Sequence, residues 1–192
     1  MKPILYFPNF LTELQSFGLM TDTLDKYELT PDKYNFGGKE VLSPRLIAFL
    51  SKDNKKYTYS GQTRKSYNYS ESIEKLVEYI EAYLNEKGLK LKNGYFNGCL
   101  LNLYRNGNDS ISYHKDNEKD MSENTYIAVI SVGAERTFKI KNDLTGKVEN
   151  FVLENGSLCV MTPVCQKEYK HGIMKEKGIQ TPRLSFTFRN FK

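Results

Sequence analysis

Residues 102–116, NLYRNGNDSISYHKD, alternate like a strand and close on His114-Lys115-Asp116. Side chains two apart on a strand share a face. His114 and Asp116 can therefore converge on one point without help from a loop, and Asn102 and Tyr104 share a face by the same rule. An imidazole beside a carboxylate supplies two thirds of the 2-His-1-carboxylate set that holds non-haem Fe(II) and leaves positions open. The chain has two histidines, so a third member can only be His171. A lone His-x-Asp triplet is common and is more often an ordinary hydrogen-bonding pair. The rest of the chain has to decide.

Downstream of Phe96 the sequence breaks into short strand-like runs at 97–105, 110–114, 125–133, 136–141, 148–153, 157–162, 167–171 and 183–189. Turn residues fall between them, among them Asn106-Gly107-Asn108-Asp109, Asn142-Asp143, Asn155-Gly156 and Pro182. Many short strands at this spacing predict a closed or two-sheet antiparallel fold. Upstream, Ile73, Leu76, Val77, Ile80 and Leu84 recur at helical spacing and predict a helix over Glu71–Lys87. Ser70 stands at its N-cap and Gly88 at C′. That helix reads as a buttress laid on a sheet. Residues 1–50 look irregular: LYFPNFL suits a short strand or a helical turn, and Gly37-Gly38 marks a tight loop carrying Phe36. Residues 56–61, KYTYSG, alternate aromatic and small polar side chains, as a hairpin arm does.

The chain's 192 residues suffice for one domain with a real core. No apolar run approaches a membrane span, and MKPILYFPNFL, with prolines at 3 and 8, lacks the features of a signal peptide. Cys99, Cys159 and Cys165 show no C-x-x-C spacing, so they read as buried thiols of a soluble intracellular protein. The net charge of +5 suits a polyanionic partner without requiring one.

The last strand-like run, Arg183-Leu184-Ser185-Phe186-Thr187-Phe188-Arg189, would put Arg, Ser, Thr and Arg on one face and Leu184, Phe186 and Phe188 on the other. Arginines normally stay in solvent. Two on the polar face of a late strand, backed by aromatics, suggest a clamp for a dicarboxylate, because guanidinium forks match carboxylates bidentately. A solvated strand face would read the same way.

Together the order is H-x-D, a long gap, His171, then R-x-S-x-T-x-R. This set resembles the AlkB family of Fe(II)- and 2-oxoglutarate-dependent dioxygenases, the oxidative nucleic-acid dealkylases. The likeness covers most of residues 34–190 and is similar in particular to the eukaryotic DNA-repair branch, with its N-x-Y before H-x-D and its closing T-F-R. The resemblance implies a mainly β chain with a flanking helix: a double-stranded β-helix (jelly roll) with an N-terminal nucleotide-recognition lid. Residues 1–95 would hold the extension, the lid and the helix, and 96–192 the catalytic core, in one compact domain. It implies His114, Asp116 and His171 as iron ligands. Arg183, helped by Tyr104, would take the distal carboxylate of 2-oxoglutarate, and Arg189, with Asn102 beside it, the chelating end. Ser185 stands where the family usually has Asn; a serine still hydrogen-bonds, so weaker or water-mediated help is expected there.

The same likeness assigns the substrate side. Tyr57, Tyr59 and Ser60 resemble the lid hairpin whose aromatic stacks on a flipped base, and Glu118 an acidic position that reads the damaged base's edge. Phe36 corresponds to a residue wedged into the duplex, and Arg45, after Pro44, to a phosphate contact. Each has a plainer alternative: packed strand faces for the tyrosines, core for Phe36, surface charge for Glu118. The implied activity is demethylation of bases such as 1-methyladenine and 3-methylcytosine in DNA, with Fe(II), 2-oxoglutarate and O2 consumed or held and formaldehyde and succinate released. Alternatives are the same chemistry on RNA and an oxygenase acting on protein. The expected partner is alkylated DNA or RNA, with no membrane, and the expected state is a monomer.

Overall fold

In the computed structural model, the strand-rich half closes as two facing sheets. Eleven residues (53–56, 60, 61, 65, 93 and 117–119) lie outside the description, and at 36, 57–59 and 62–64 only the backbone is described. In chain order the elements are β1 (Ile4–Phe7), α1 (Glu13–Lys26), β2 (Lys33–Phe36), β3 (Lys39–Leu42), β4 (Leu46–Ser51), β5 (Tyr57–Tyr59), β6 (Gln62–Arg64) and β7 (Ser66–Asn68). They continue with α2 (Glu71–Glu86), β8 (Gly98–Tyr104), β9 (Ile111–His114), β10 (Ile127–Gly133), β11 (Arg136–Asn142), β12 (Val148–Leu153), β13 (Ser157–Met161), α3 (Pro163–Glu168), β14 (Tyr169–Ile173) and β15 (Arg183–Arg189).

The major sheet has the order β1-β13-β10-β15-β8-β4-β7, and the minor sheet β12-β11-β14-β9. Their pairings are antiparallel except for β4 with β7. This is the double-stranded β-helix that the family resemblance implies, and the two-sheet antiparallel fold that the strand spacing predicts. The major sheet draws β1, β4 and β7 from before residue 95 and its other four strands from after it. Alternation along each strand then makes two cores. One face of the major sheet meets the helices through Ile73, Ile80, Leu101, Phe186 and Phe188. The other face meets the minor sheet through Leu100, Val129, Phe138, Leu153 and Ile173.

The helix α2 forms as its apolar stripe predicts, with Ile73, Ile80 and Leu84 fully buried. Ser70 sits at its N-cap in extended backbone, but its side chain makes no cap hydrogen bond. Gly88 (φ +89°) takes the left-handed position that ends the helix, with Leu89 N–H donating to Leu84 O (3.1 Å) and Gly88 N–H to Asn85 O (2.9 Å). Two elements depart from expectation. Residues 13–26, within a stretch read as irregular, form α1, fixed by a capping box: Gln15 N–H donates to Thr12 Oγ1 (3.2 Å) and Thr12 N–H to Gln15 Oε1 (2.8 Å). The strand expected at 167–171 starts at Tyr169, because Pro163 at the first helical turn opens α3 instead.

Candidate metal and dicarboxylate site

Strand pairing brings the three candidate ligands together. His114 ends β9 and stands directly across from His171 of β14, with a register shift just beyond at Ile173. Asp116 lies two residues past His114 and is buried. His114 Nε2 is 3.6 Å from Asp116 Oδ1, and His171 Nε2 is 3.7 Å from Asp116 Oδ2. One ligand atom from each of the three residues falls within 4.8 Å of the others. The Ser112 carbonyl can only accept, so its 2.9 Å contact with His114 Nδ1 places a proton there and turns the Nε2 lone pair toward the carboxylate. Two imidazoles and a carboxylate on one side of a point fit a non-haem iron with open positions.

Burial opposes the charge on Asp116, but Arg189, whose Nη2 donates to Oδ1 at 2.8 Å, and the two histidines outweigh it. Its carboxyl is held well below the usual range. Burial pushes the His171 imidazole down to about 3, against the pull of the Asp116 charge. Both groups are thus set in their metal-binding forms at neutral pH. The three cysteines are free and buried; burial lifts the Cys159 and Cys165 thiols to about 12, which makes them inert.

The triad opens into a cavity between the sheets. Arg183, Ser185, Thr187 and Arg189 all line it from β15, and Asn102 and Tyr104 from β8. The pairing is direct: Arg183 faces Tyr104 and Ser185 faces Asn102 across β15 and β8. Arg183 is 2% exposed, donates from Nη2 to Ser131 Oγ at 2.8 Å, and lies 5.3 Å from the Tyr104 ring centroid. Among the described residues no carboxylate pairs with it, and its Nε has no hydrogen-bond partner. An unpaired buried cation is costly, so this end of the cavity is complementary to an anion.

Arg45, expected as a phosphate contact, is 5% exposed, and its Nε donates to Asn102 Oδ1 at 2.8 Å, which fixes the Asn102 amide so that Nδ2 is left for other partners. Ser60 and Glu118 lie outside the described residues, as do the side chains of Phe36, Tyr57 and Tyr59; the backbone at Tyr57–Tyr59 pairs with Gln62–Arg64 as a hairpin. Sequence reasoning missed Ser131 and Gln166, whose Oε1 accepts the Asp116 N–H at 3.1 Å. Ser131 could have been found only from strand pairing, since it sits opposite Ser185 on β10.

Among proteins of known sequence, a 151-residue match is 29% identical to the "RNA replication protein" of Grapevine virus A, covering 79% of this chain but 8% of that protein. The "DNA oxidative demethylase ALKBH2" of Arabidopsis thaliana is 27% identical over 211 residues, 97% of this chain and 65% of that one. The chain thus spans less than two thirds of either relative. The solved structure of OsALKBH1 superposes with a TM-score of 0.65 at 16% identity, over 99% of both chains, which shows a shared fold. The sequence profile of the 2OG-Fe(II) oxygenase superfamily matches residues 3–189, nearly the whole chain. A match of that length, with AlkB-type proteins among the relatives, places the chain: it belongs to the 2OG-Fe(II) oxygenase superfamily.

Proposed function

We propose that this protein is an Fe(II)/2-oxoglutarate-dependent oxidative demethylase of N-alkylated bases in DNA. The observation that carries the reading is the pairing, in one cavity, of the His114–Asp116–His171 set with Arg183, a buried guanidinium that has no carboxylate partner among the described residues. When bound, Fe(II) with 2-oxoglutarate and O2 would supply the hydroxylation of an N-alkyl carbon, with the co-substrate leaving as succinate and CO2 and the N-methyl carbon as formaldehyde. The chain's own residues bind and orient. His114, Asp116 and His171 hold the metal on one side. Arg183 and Tyr104 receive the distal carboxylate of the co-substrate, with Ser185 nearby, while Asn102 and Arg189 serve the end that approaches the metal. The apolar walls, Leu100, Val129, Phe138 and Leu153, exclude water.

DNA as substrate is supported by the ALKBH2 relatives and by the likeness of 57–61 to a base-stacking hairpin. A damaged, poorly paired base is the cheapest to draw from its stack. Tyr57, Tyr59 and Ser60 of the lid, together with Phe36 and Glu118, are the residues proposed to meet it. RNA is the second reading, favoured by the Grapevine virus A relative, whose name is that of an RNA replication protein. The test is succinate and formaldehyde release on 1-methyladenine and 3-methylcytosine oligonucleotides of DNA and of RNA, beside unmodified strands and peptides. DNA turnover that depends on both iron and 2-oxoglutarate is expected. Turnover of RNA alone would move the substrate, and turnover of peptides alone would sink the demethylase reading. His114→Ala should abolish the reaction, by more than about 100-fold, beyond the loss typical of removing an outer hydrogen-bond partner of a ligand. Retained activity would remove His114 from the metal.

A further inference from the structure

Arg136 opens β11, is 1% exposed, and does not line the cavity. A fully buried guanidinium is rare unless it is paired. Here it is immobilised on every side described. Its Nη2 donates to Met174 O at 2.7 Å and to Asp109 O at 2.9 Å, its Nη1 to Asn106 O at 3.3 Å, and its Nε to Glu176 Oε1 at 3.3 Å. Those acceptors belong to two loops that dock on each other: Gly107 N–H donates to Ile179 O and Glu176 N–H to Gly107 O, each at 2.8 Å. The approach is so close that a Cβ on residue 107 would stand 1.7 Å from Glu176 O, so only glycine fits.

What remains of Arg136 is its planar face. Its Cζ lies 5.4 Å from the centroid of the Tyr104 ring, the same ring that Arg183 approaches at 5.3 Å. Both cations are drawn to the ring's negative face, and burial strengthens that attraction. We infer that Arg136 is a positioning residue for co-substrate binding: anchored by two loops, it holds the Tyr104 ring, and through it Arg183, in the stance that receives the distal carboxylate of 2-oxoglutarate. Like-charged Arg136 and Arg183 do not repel Tyr104 but share it, and the phenol ring contacts both an anchored cation and a cation awaiting an anion. The inference rests on the co-substrate reading given above and adds a residue that never touches the ligand.

The test is calorimetric titration of 2-oxoglutarate into the full chain loaded with redox-inert Mn(II), with Mn(II) affinity measured separately. Arg136→Lys keeps the charge and loses the planar face. It should raise the 2-oxoglutarate Kd roughly five- to thirtyfold, the range a desolvated cation–π contact is worth, with Mn(II) affinity unchanged. In a Tyr104→Leu background the same substitution should change Kd less than about twofold, because contacts that act through one residue are non-additive. An unchanged Kd in Arg136→Lys, or an equal loss in both backgrounds, overturns the inference even if the melting temperature falls. Should Arg136→Lys not fold, Glu176→Gln loosens the anchor and leaves Arg136 in place; a rise of a few-fold is expected, and no rise overturns the inference. If the unaltered protein takes up no 2-oxoglutarate, the functional reading fails before Arg136 is reached.

Discussion

On β15, Leu184, Phe186 and Phe188 turn toward the helices while Arg183, Ser185, Thr187 and Arg189 turn toward the cavity. All seven residues are buried. The two faces of one strand therefore differ in chemistry and not in exposure. The helix side packs hydrocarbon on hydrocarbon, so every group there lowers the free energy of the folded chain. On the cavity side two arginines at 3% exposure or less, Arg183 and Arg189, line one space, and Arg189 meets the Asp116 carboxylate there. That side is stable because the other is. Arg183, with no carboxylate beside it among the described residues, leaves it complementary to an anion.

The comparison breaks first at Phe186. Phe186→Ala should cost about 3–5 kcal/mol of stability, the usual loss for a buried phenylalanine, while 2-oxoglutarate affinity of the folded fraction stays within a few-fold. Urea unfolding and ligand titration on one preparation read both, and a large affinity loss would mean that the faces are coupled. Arg183→Met makes the opposite prediction. Losing the cation should weaken 2-oxoglutarate binding by about 2–5 kcal/mol, yet leave the ligand-free protein as stable as before or more so, since a well-packed apolar replacement of a buried charge is often neutral or stabilising. A clear drop in the unfolding midpoint without ligand would show that Ser131 and Tyr104 already outweigh the cost of burying Arg183.

Of the two faces of β15, acid should act on the cavity side and not on the hydrocarbon side. The unfolded chain protonates His171 near its ordinary 6.5, the folded one only near 3, so stability declines as pH falls between those values. Asp116 adds the same sign lower down: its contribution is complete above its ordinary 3.8 and is lost as pH falls below that. Each group can contribute at most about 1.4 kcal/mol per pH unit. Urea midpoints of the metal-free protein from neutral pH to pH about 5 should fall steadily, and a flat profile would contradict the burial of a neutral His171. The smallest effect is expected at Ser185. Ser185→Asn, restoring the side chain usual in the family it resembles, should tighten 2-oxoglutarate by a few-fold, about the worth of one hydrogen bond. Weaker binding would mean that the space beside Asn102 is already full.

The alternation of β15 and the i, i+2 pairs His114/Asp116 and Asn102/Tyr104 were legible in the sequence because a strand's period of two is strict. The helix α1 was half legible. Thr12 and Gln15 spell its capping box, but the helix buries Ser16 and Thr23 and exposes Leu14 and Phe17, so no apolar stripe announces it. The Arg45 contact with Asn102, and Ser131, Arg136 and Gln166 altogether, were not legible in the sequence. Their roles come from partners far away in the chain, such as Asn102 for Arg45 and Arg183 for Ser131, and no local pattern encodes which strands will be neighbours.

The antiparallel pairing of β14 with β9 has a consequence for a chain still being made. His114 and Asp116 emerge early, but His171 belongs to β14 and both clamp arginines to β15, the last strand. Synthesis runs from the N-terminus, so any product cut short before β14 carries two of the three proposed metal ligands and neither arginine of the proposed clamp. Such a fragment lacks the parts to hold iron and co-substrate together, and so to start an oxidation beside unfolded protein. The proposed centre is assembled only once β14 and β15 have been made, so synthesis of β15 is the step that arms it.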